Sequence, residues 1–201
     1  MTWANDSATW IRDSIEFFER KSKFDREKWV VKELLSSLKI KFYDSELTPA
    51  DEPIDVSYKE NKFQVKEIFD PERRRKDEFE DKYQKINRLM SNDDYLGITD
   101  TYTNPTAICF CKVVSECRNL AIGLQENKYG ALGAAKIDLL FYFNKRDLYA
   151  TPSQIPELQG IQFRSLSVVT NTYCSVVFAK STCPEIFRDK VGKLMIKSAG
   201  G

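Results

Sequence analysis

Polar side chains able to take part in phosphate chemistry lie in two neighbouring segments near residue 60. Asp55 belongs to the segment 53–58, whereas Gln64 and Lys66 belong to the segment 63–68. Apolar and polar residues alternate in both segments, which is typical of strands with one apolar face. The polar residues 59–62 between them predict a tight hairpin.

The register of this hairpin decides which side chains become neighbours. A turn centred on residues 60–61 places Asp55 opposite Lys66, and Ser57 opposite Gln64, on one face. A carboxylate beside an ammonium suits a hydrolytic magnesium site. The acid can hold the metal, while the lysine orients a water and offsets phosphate charge.

A helix predicted over residues 25–39 carries a further acid. Val31, Leu34 and Leu38 recur at helical spacing, and Glu27 falls on the same stripe. A carboxylate at the start of a core-facing stripe is a candidate metal ligand. The alternative is a first-turn glutamate that interacts with the helix dipole, and both interpretations stay open.

A second helix is predicted from Asp70 to about residue 89, and it begins with a run of cations. Arg73, Arg74 and Arg75 occupy one helical turn, and acids follow them four residues later. Such a run covers most of the helix circumference, which favours a solvated face with paired charges. Contact with a phosphate backbone is the alternative interpretation.

The remaining patterns predict an α/β (α+β) protein with a central mixed β-sheet flanked by helices. A short strand is expected at 40–43, and a buried strand at 137–143. Other strands and helices are expected at 106–114, 115–128, 165–170, 173–179, 184–191 and 194–196. We expect a single domain over residues 1–201, with a core over about 25–145 and a C-terminal strand pair and helix over about 160–197 packed on it.

Composition excludes several classes of function. The chain has no histidine, so serine–histidine and cysteine–histidine nucleophilic machinery is impossible. Its net charge is +1, so any binding of nucleic acid must come from a local patch. We expect no membrane span, because no long apolar run occurs, and no signal peptide, because the N-terminus lacks a basic segment followed by an apolar one. The five cysteines include no Cys-x-x-Cys pair, which favours reduced thiols in a cytoplasmic protein over a disulfide framework.

The order of a helix with Glu27, a strand with Asp55 and a strand with Gln64 and Lys66 resembles the restriction-endonuclease-like nucleases, whose motif is written PD-(D/E)xK. This resemblance implies a restriction-endonuclease-like core and a site for Mg²⁺ or Mn²⁺. It implies that Glu27 and Asp55 bind the metal, that Gln64 completes its shell through a carbonyl oxygen, and that Lys66 assists the attacking water.

The whole chain also resembles an uncharacterised bacterial family described as endonucleases. The segments that carry this resemblance are 26–30, 51–56, 63–65, 164–169 and 177–179. Gln64 departs from the motif, because a neutral amide replaces the usual second acid and removes one negative charge from the metal shell.

These observations favour a magnesium-dependent nuclease that acts on phosphodiester bonds, with DNA as the expected substrate and with Arg73, Arg74 and Arg75 near its phosphates. The alternative is a nuclease fold without catalysis that binds nucleic acid or protein. A third interpretation is an unrelated α/β domain in which the motif is a coincidence. The resemblance adds a homodimer as a further expectation.

Overall fold

The computed structural model describes residues 23–69, 105–145 and 148–197. The chain divides into two compact units, and almost all of these residues belong to the unit formed by residues 27–69 and 105–201. The predicted helix with Arg73, Arg74 and Arg75 lies outside the described residues, and the single domain over residues 1–201 stays a prediction.

The described part of the chain contains both helices and strands, and the strands mostly follow one another in groups. The helices are α1 (Lys23–Ser37), α2 (Phe110–Leu124), α3 (Gly130–Ala134) and α4 (Glu185–Arg188), with a 3₁₀ turn at Asp44–Glu46 and a π-helical turn at Gln125–Tyr129. The strands are β1 (Leu47–Pro49), β2 (Val56–Tyr58), β3 (Asn61–Ile68), β4 (Thr106–Cys109), β5 (Asp138–Phe143), β6 (Leu148–Thr151), β7 (Ser165–Val169), β8 (Tyr173–Ala179) and β9 (Met195–Ile196).

A seven-stranded sheet with the order β1-β2-β3-β5-β7-β8-β9 forms the centre. The pairs β3–β5 and β5–β7 are parallel, and the other neighbours are antiparallel. β4 and β6 form a separate parallel pair. The structure therefore confirms a mixed α+β fold with a mostly antiparallel central sheet, whereas the restriction-endonuclease-like core stays a prediction.

Helices cover the two faces of this sheet. On one face, Trp29 of α1 packs edge-on against Tyr142 of β5, with ring centroids 5.4 Å apart. On the other face, α2 contributes Phe110 and Val113 to a buried cluster that includes Leu139 and Phe141 of β5. Because successive strand residues point to opposite faces, each residue of β3 can be assigned to the α1 face or the α2 face.

Three predicted strands differ from the structure, and the one predicted over 53–58 forms only as β2, Val56–Tyr58. Residues 40–43 are not a strand, because the backbone closes α1 there: Lys39 adopts φ +57° and the Ile40 N–H donates to the Leu35 carbonyl at 2.9 Å. The strand predicted over 106–114 ends at Cys109. The apolar residues beyond it form the buried stripe of α2. A short apolar segment looks the same in a strand and in a buried helix, so its pattern does not distinguish the two.

The cysteines also differ in part from the expectation of reduced thiols. Cys109 and Cys111 are joined by a disulfide. Cys117, Cys174 and Cys183 are free and buried, as expected. Within the described ranges, no helix is both long and apolar enough to span a bilayer.

Candidate functional site

The hairpin of β2 and β3 is tighter than the sequence predicts. Its turn consists of Lys59 and Glu60, and Val56 pairs with Phe63 rather than with residue 65. Lys59 makes this possible by adopting the left-handed conformation, with φ +51°. Asn61 is 3% exposed and its Nδ2 donates to the Tyr58 carbonyl, so it belongs to the strand and not to the turn.

This register corrects the predicted pairing of Asp55 with Lys66. The ladder ends at the pair Val56–Phe63, and Asp55 lies just before β2, where its N–H donates to the Phe63 carbonyl at 2.9 Å. The shift is two residues, and a shift of two keeps every side chain on its face. Lys66 lies two residues beyond Gln64 on the α2 face of β3, and the Gln64 side chain on this face donates to the Asp55 carboxylate.

The Asp55 carboxylate is buried and held by the strand that it faces. The side chain is 8% exposed, and its Oδ2 accepts a hydrogen bond from the Val65 N–H at 2.8 Å. The same oxygen accepts a second hydrogen bond from the Gln64 Nε2. Two donors on one oxygen fix the direction of the carboxylate, and they offset part of the cost of burying its charge.

Gln64 links Asp55 to a residue far away in the sequence. Its side chain is 3% exposed, and its Oε1 accepts a hydrogen bond of 2.7 Å from the Tyr129 hydroxyl. Tyr129 ends the π-helical turn, and its ring packs edge-on against Phe163 at 5.9 Å. The NH₂ group of an amide donates and its oxygen accepts, so Gln64 directs its NH₂ group towards the Asp55 carboxylate and its oxygen towards the Tyr129 hydroxyl.

The sequence does not indicate Tyr129 as a site residue. It lies 65 residues from Gln64, outside any motif, and only the tertiary packing of the π-helical turn brings the two together. A partly buried tyrosine needs a partner for its hydroxyl, but the burial of Tyr129 becomes known only from the structure.

Glu27 lies on the predicted stripe, but its helix packs on the opposite face of the sheet. Val31, Leu34 and Leu38 are each 0% exposed, which confirms that stripe, and Glu27 itself is half-buried. Tyr142, the partner of Trp29 in α1, pairs with Glu67 of β3. The α1 face is therefore the face of Glu67, not that of Gln64 and Lys66.

The side chains at this site supply few ligands for a metal ion unless a substrate phosphate supplies others. In residues 23–69, 105–145 and 148–197, no three acidic or cysteine side chains are grouped as metal ligands. The carbonyl oxygen of Gln64 already accepts from Tyr129, so its orientation is set by the protein. Mg²⁺ is commonly bound through one or two carboxylates, waters and substrate phosphates, and Asp55 fits a metal held in that way.

A second buried acid, Asp138, serves a different purpose. It is 1% exposed and accepts from the Arg164 Nε at 2.9 Å, the Ser165 hydroxyl at 2.8 Å and the Lys62 N–H at 2.9 Å. Arg164 also donates to the Glu60 carbonyl at 2.9 Å, and the hydrogen bond to Asp138 raises the pKa of its guanidinium. This cluster joins the hairpin turn to β5 and β7, so its role is structural.

Comparison with known proteins gives a family and a fold. The family described as "Putative endonuclease, protein of unknown function (DUF1780)" matches residues 6–200. No match was found among curated proteins. Among solved structures, a protein of unknown function from Pseudomonas aeruginosa strain PAO1, described as belonging to the monooxygenase superfamily, is 22% identical with a TM-score of 0.61. The alignment covers 100% of this chain and 98% of that protein, and the likeness is one of fold.

Proposed function

The chain belongs to this endonuclease-labelled family of unknown function, and on that basis we propose that it hydrolyses phosphodiester bonds in DNA with Mg²⁺ or Mn²⁺ as cofactor. We also propose that its site is a variant of the PD-(D/E)xK arrangement. The observation that carries the proposal is the buried Asp55 carboxylate, fixed by two N–H donors, with Lys66 two residues beyond Gln64 on the same face of β3.

In this proposal Asp55 and Lys66 have complementary roles. Asp55 holds the metal together with the substrate phosphate, because a fixed carboxylate loses little entropy on binding. Lys66 offsets the negative charge that develops on the phosphate, and it orients the attacking water. The water adds to phosphorus, the bond to the leaving oxygen breaks, and that oxygen takes up a proton.

The metal would polarise the scissile phosphate and lower the pKa of a bound water. We assign Asp55 as the protein ligand of this metal. That Glu27 is a second metal ligand stays a prediction. Ligation of the metal by the carbonyl oxygen of Gln64 also stays a prediction. We propose instead that Gln64 positions Asp55, because its NH₂ group donates to that carboxylate while Tyr129 holds its oxygen.

Contact of Arg73, Arg74 and Arg75 with substrate phosphates, a homodimer and a cytoplasmic location also stay predictions. The arginines would add a local positive charge for the phosphates in a chain whose net charge is only +1.

One observation favours the alternative, a fold without catalysis that binds nucleic acid or protein. Both ends of the Gln64 amide are bonded within the protein, and a purely structural clamp on the hairpin would show the same network. In that case nucleic acid would bind without metal, and loss of Lys66 would leave the protein folded and equally competent in binding.

The test is cleavage of labelled DNA and RNA, single- and double-stranded, with Mg²⁺ or Mn²⁺. We would compare the wild type with Lys66→Ala and with Lys62→Ala. Lys62 is the matched control, because it is an exposed lysine on the same face of the same strand, four residues before Lys66.

We expect DNA cleavage that requires metal, is retained by Lys62→Ala and falls at least about 100-fold in Lys66→Ala, as is typical when a group that stabilises the transition state is removed. Absence of cleavage by the folded wild type with either metal would contradict the proposal. Equal activity of both variants would exclude Lys66 from the site.

A further inference from the structure

The disulfide between Cys109 and Cys111 lies where β4 ends and α2 begins. Cys109 is the last residue of β4 and the N-cap of α2, and Cys111 is the second residue of the helix. Phe110 between them is 0% exposed, and its ring packs edge-on against Tyr173 at 6.5 Å. Because Phe110 is anchored in the core, the flanking cysteines are left half-buried near the surface, within bonding distance of each other.

The other three cysteines have a different environment. Cys117 and Cys174 are 0% exposed, and Cys183 is 2% exposed. Burial raises the pKa of Cys174 and of Cys183 to about 11, and it raises the pKa of Cys117 well above its usual value. A thiol that is buried and protonated neither attacks a disulfide nor reacts with an electrophile at neutral pH. Among the described residues, redox chemistry is therefore confined to the disulfide pair.

The surroundings of the pair support exchange with a thiol. The Cys111 N–H donates to the Ser153 hydroxyl at 2.7 Å, so Ser153 satisfies one of the open donors of the first helical turn. Cys111 lies in the first turn of a 15-residue helix, where the partial positive charge of the helix start stabilises a thiolate. A stabilised thiolate is a good leaving group when a second thiol attacks the disulfide.

We propose that Cys109 and Cys111 form a reversible dithiol–disulfide couple that exchanges with small thiols of the glutathione class. A thiolate attacks one sulfur of the pair, the Cys109–Cys111 bond breaks, and a mixed disulfide forms while the released cysteine takes a proton. A second thiol then resolves the mixed disulfide. Two molecules of thiol are oxidised to one disulfide, and Cys109 and Cys111 each end as a thiol.

The fold around the pair does not depend on the sulfur–sulfur bond. Cys109 pairs with Thr151 in the β4–β6 ladder, and the Thr151 hydroxyl donates to the Ile108 carbonyl at 3.2 Å. The burial of Phe110 and the Ser153 hydrogen bond hold the other side of the junction. The bond closes a loop of only two residues' separation, so it restricts the unfolded chain little. Both redox states therefore keep the same core.

The experiment is labelling of the folded full chain with a maleimide after equilibration in reduced or oxidised glutathione, followed by peptide mass spectrometry. Cys109→Ser is the matched variant, because it keeps Cys111 but removes the partner that closes the disulfide. The three buried cysteines serve as internal controls in every sample.

After treatment with oxidised glutathione, we expect no labelling of the wild type. After treatment with reduced glutathione, we expect Cys109 and Cys111 to be labelled at least about 100-fold faster than the buried thiols. Return to oxidised glutathione restores protection. Cys109→Ser instead carries glutathione on Cys111. Labelling of both cysteines despite oxidised glutathione would overturn the proposal, as would protection that survives reduced glutathione. Labelling of Cys117, Cys174 or Cys183 after reduction would show that the fold needs the bond, which also contradicts it.

Discussion

At residue 64 an amide takes the place where the motif expects an acid, and the contacts explain why an amide fits. Gln64 presents NH₂ to the Asp55 carboxylate and a carbonyl to the Tyr129 hydroxyl. A carboxylate at this position would face Asp55 with like charge in a buried site, which is costly unless a cation lies between them. The amide lets the site stay folded with a single buried acid.

Tyr129→Phe tests this network because it removes one hydroxyl and little else. The Oε1 of Gln64, on a side chain 3% exposed, would lose its donor, and we expect the free energy of unfolding to fall by about 1–3 kcal/mol. Urea denaturation measures the change. Tyr149→Phe is the control, since Tyr149 is 44% exposed on β6, and it should be neutral. Equal stabilities of the two variants would contradict a role for Tyr129 in holding Gln64.

Arg164→Met tests the second buried acid. The variant would leave the Asp138 carboxylate, 1% exposed, without its cation, and we expect a loss of about 3–5 kcal/mol in unfolding free energy. Lys145→Met breaks the surface pair with Glu116 at 2.8 Å and should cost less than about 1 kcal/mol. A similar small cost for both variants in urea denaturation would show that the Asp138 cluster does not hold the hairpin to β5 and β7.

At the scale of helices and strands, the spacing of apolar residues predicts where these elements lie. It does not predict features, such as a hairpin register, that depend on a single backbone angle. The stripe of α1, the buried strand β5 and the β7–β8 hairpin follow from apolar spacing, and the structure confirms them. The β2–β3 register does not, because a left-handed Lys59 moves the turn by one position and shifts the pairing by two.

The candidate site also has parts that the sequence predicts and parts that it does not. The face shared by Gln64 and Lys66 follows from strand alternation, so it could be predicted. The partner of Asp55 could not, because it depends on the turn. Tyr129 could not either, because a contact across 65 residues leaves no local pattern. The disulfide does not follow from the sequence, because the apolar pattern over 106–114 predicts one strand, in which Cys109 and Cys111 would point the same way without bonding.

Lys39→Gly tests how α1 ends. Lys39 follows the helix with φ +57°, a conformation that costs a residue with a side chain about 1–2 kcal/mol and that glycine adopts freely. Glycine also loosens the unfolded chain, so we expect a net gain of about 0.5–1 kcal/mol. Thermal or urea unfolding measures it. Lys39→Ala keeps the strain and should show no such gain; a gain of the same size there would assign the effect to the lost charge.

At the scale of the whole molecule, helices pack on both faces of the sheet, and the resulting core contains buried cysteine thiols. Burial raises the pKa of Cys174 and of Cys183 to about 11. The thiols of the unfolded chain therefore lose their protons first as pH rises. The stabilisation from these groups is complete below the unfolded pKa near 9, and it declines as pH approaches 11.

Cys174→Ala isolates this effect from other groups that titrate at alkaline pH. Under reducing conditions, the stability advantage of the wild type over Cys174→Ala should shrink by about 1 kcal/mol between about pH 8 and pH 10. Urea denaturation of both proteins across this range measures the difference. An advantage that stays constant or grows with pH would contradict a raised pKa for the buried thiol.

The measurement that tests the central claim most directly is single-turnover cleavage of labelled DNA, at saturating Mg²⁺ or Mn²⁺, by the wild type and by Asp55→Asn. Asparagine keeps the shape of the side chain and an oxygen that can accept from Val65 and Gln64, but it removes the charge. The account predicts a folded variant whose cleavage rate falls at least about 100-fold. Cleavage by Asp55→Asn at the wild-type rate would contradict it and would move the active site away from this hairpin.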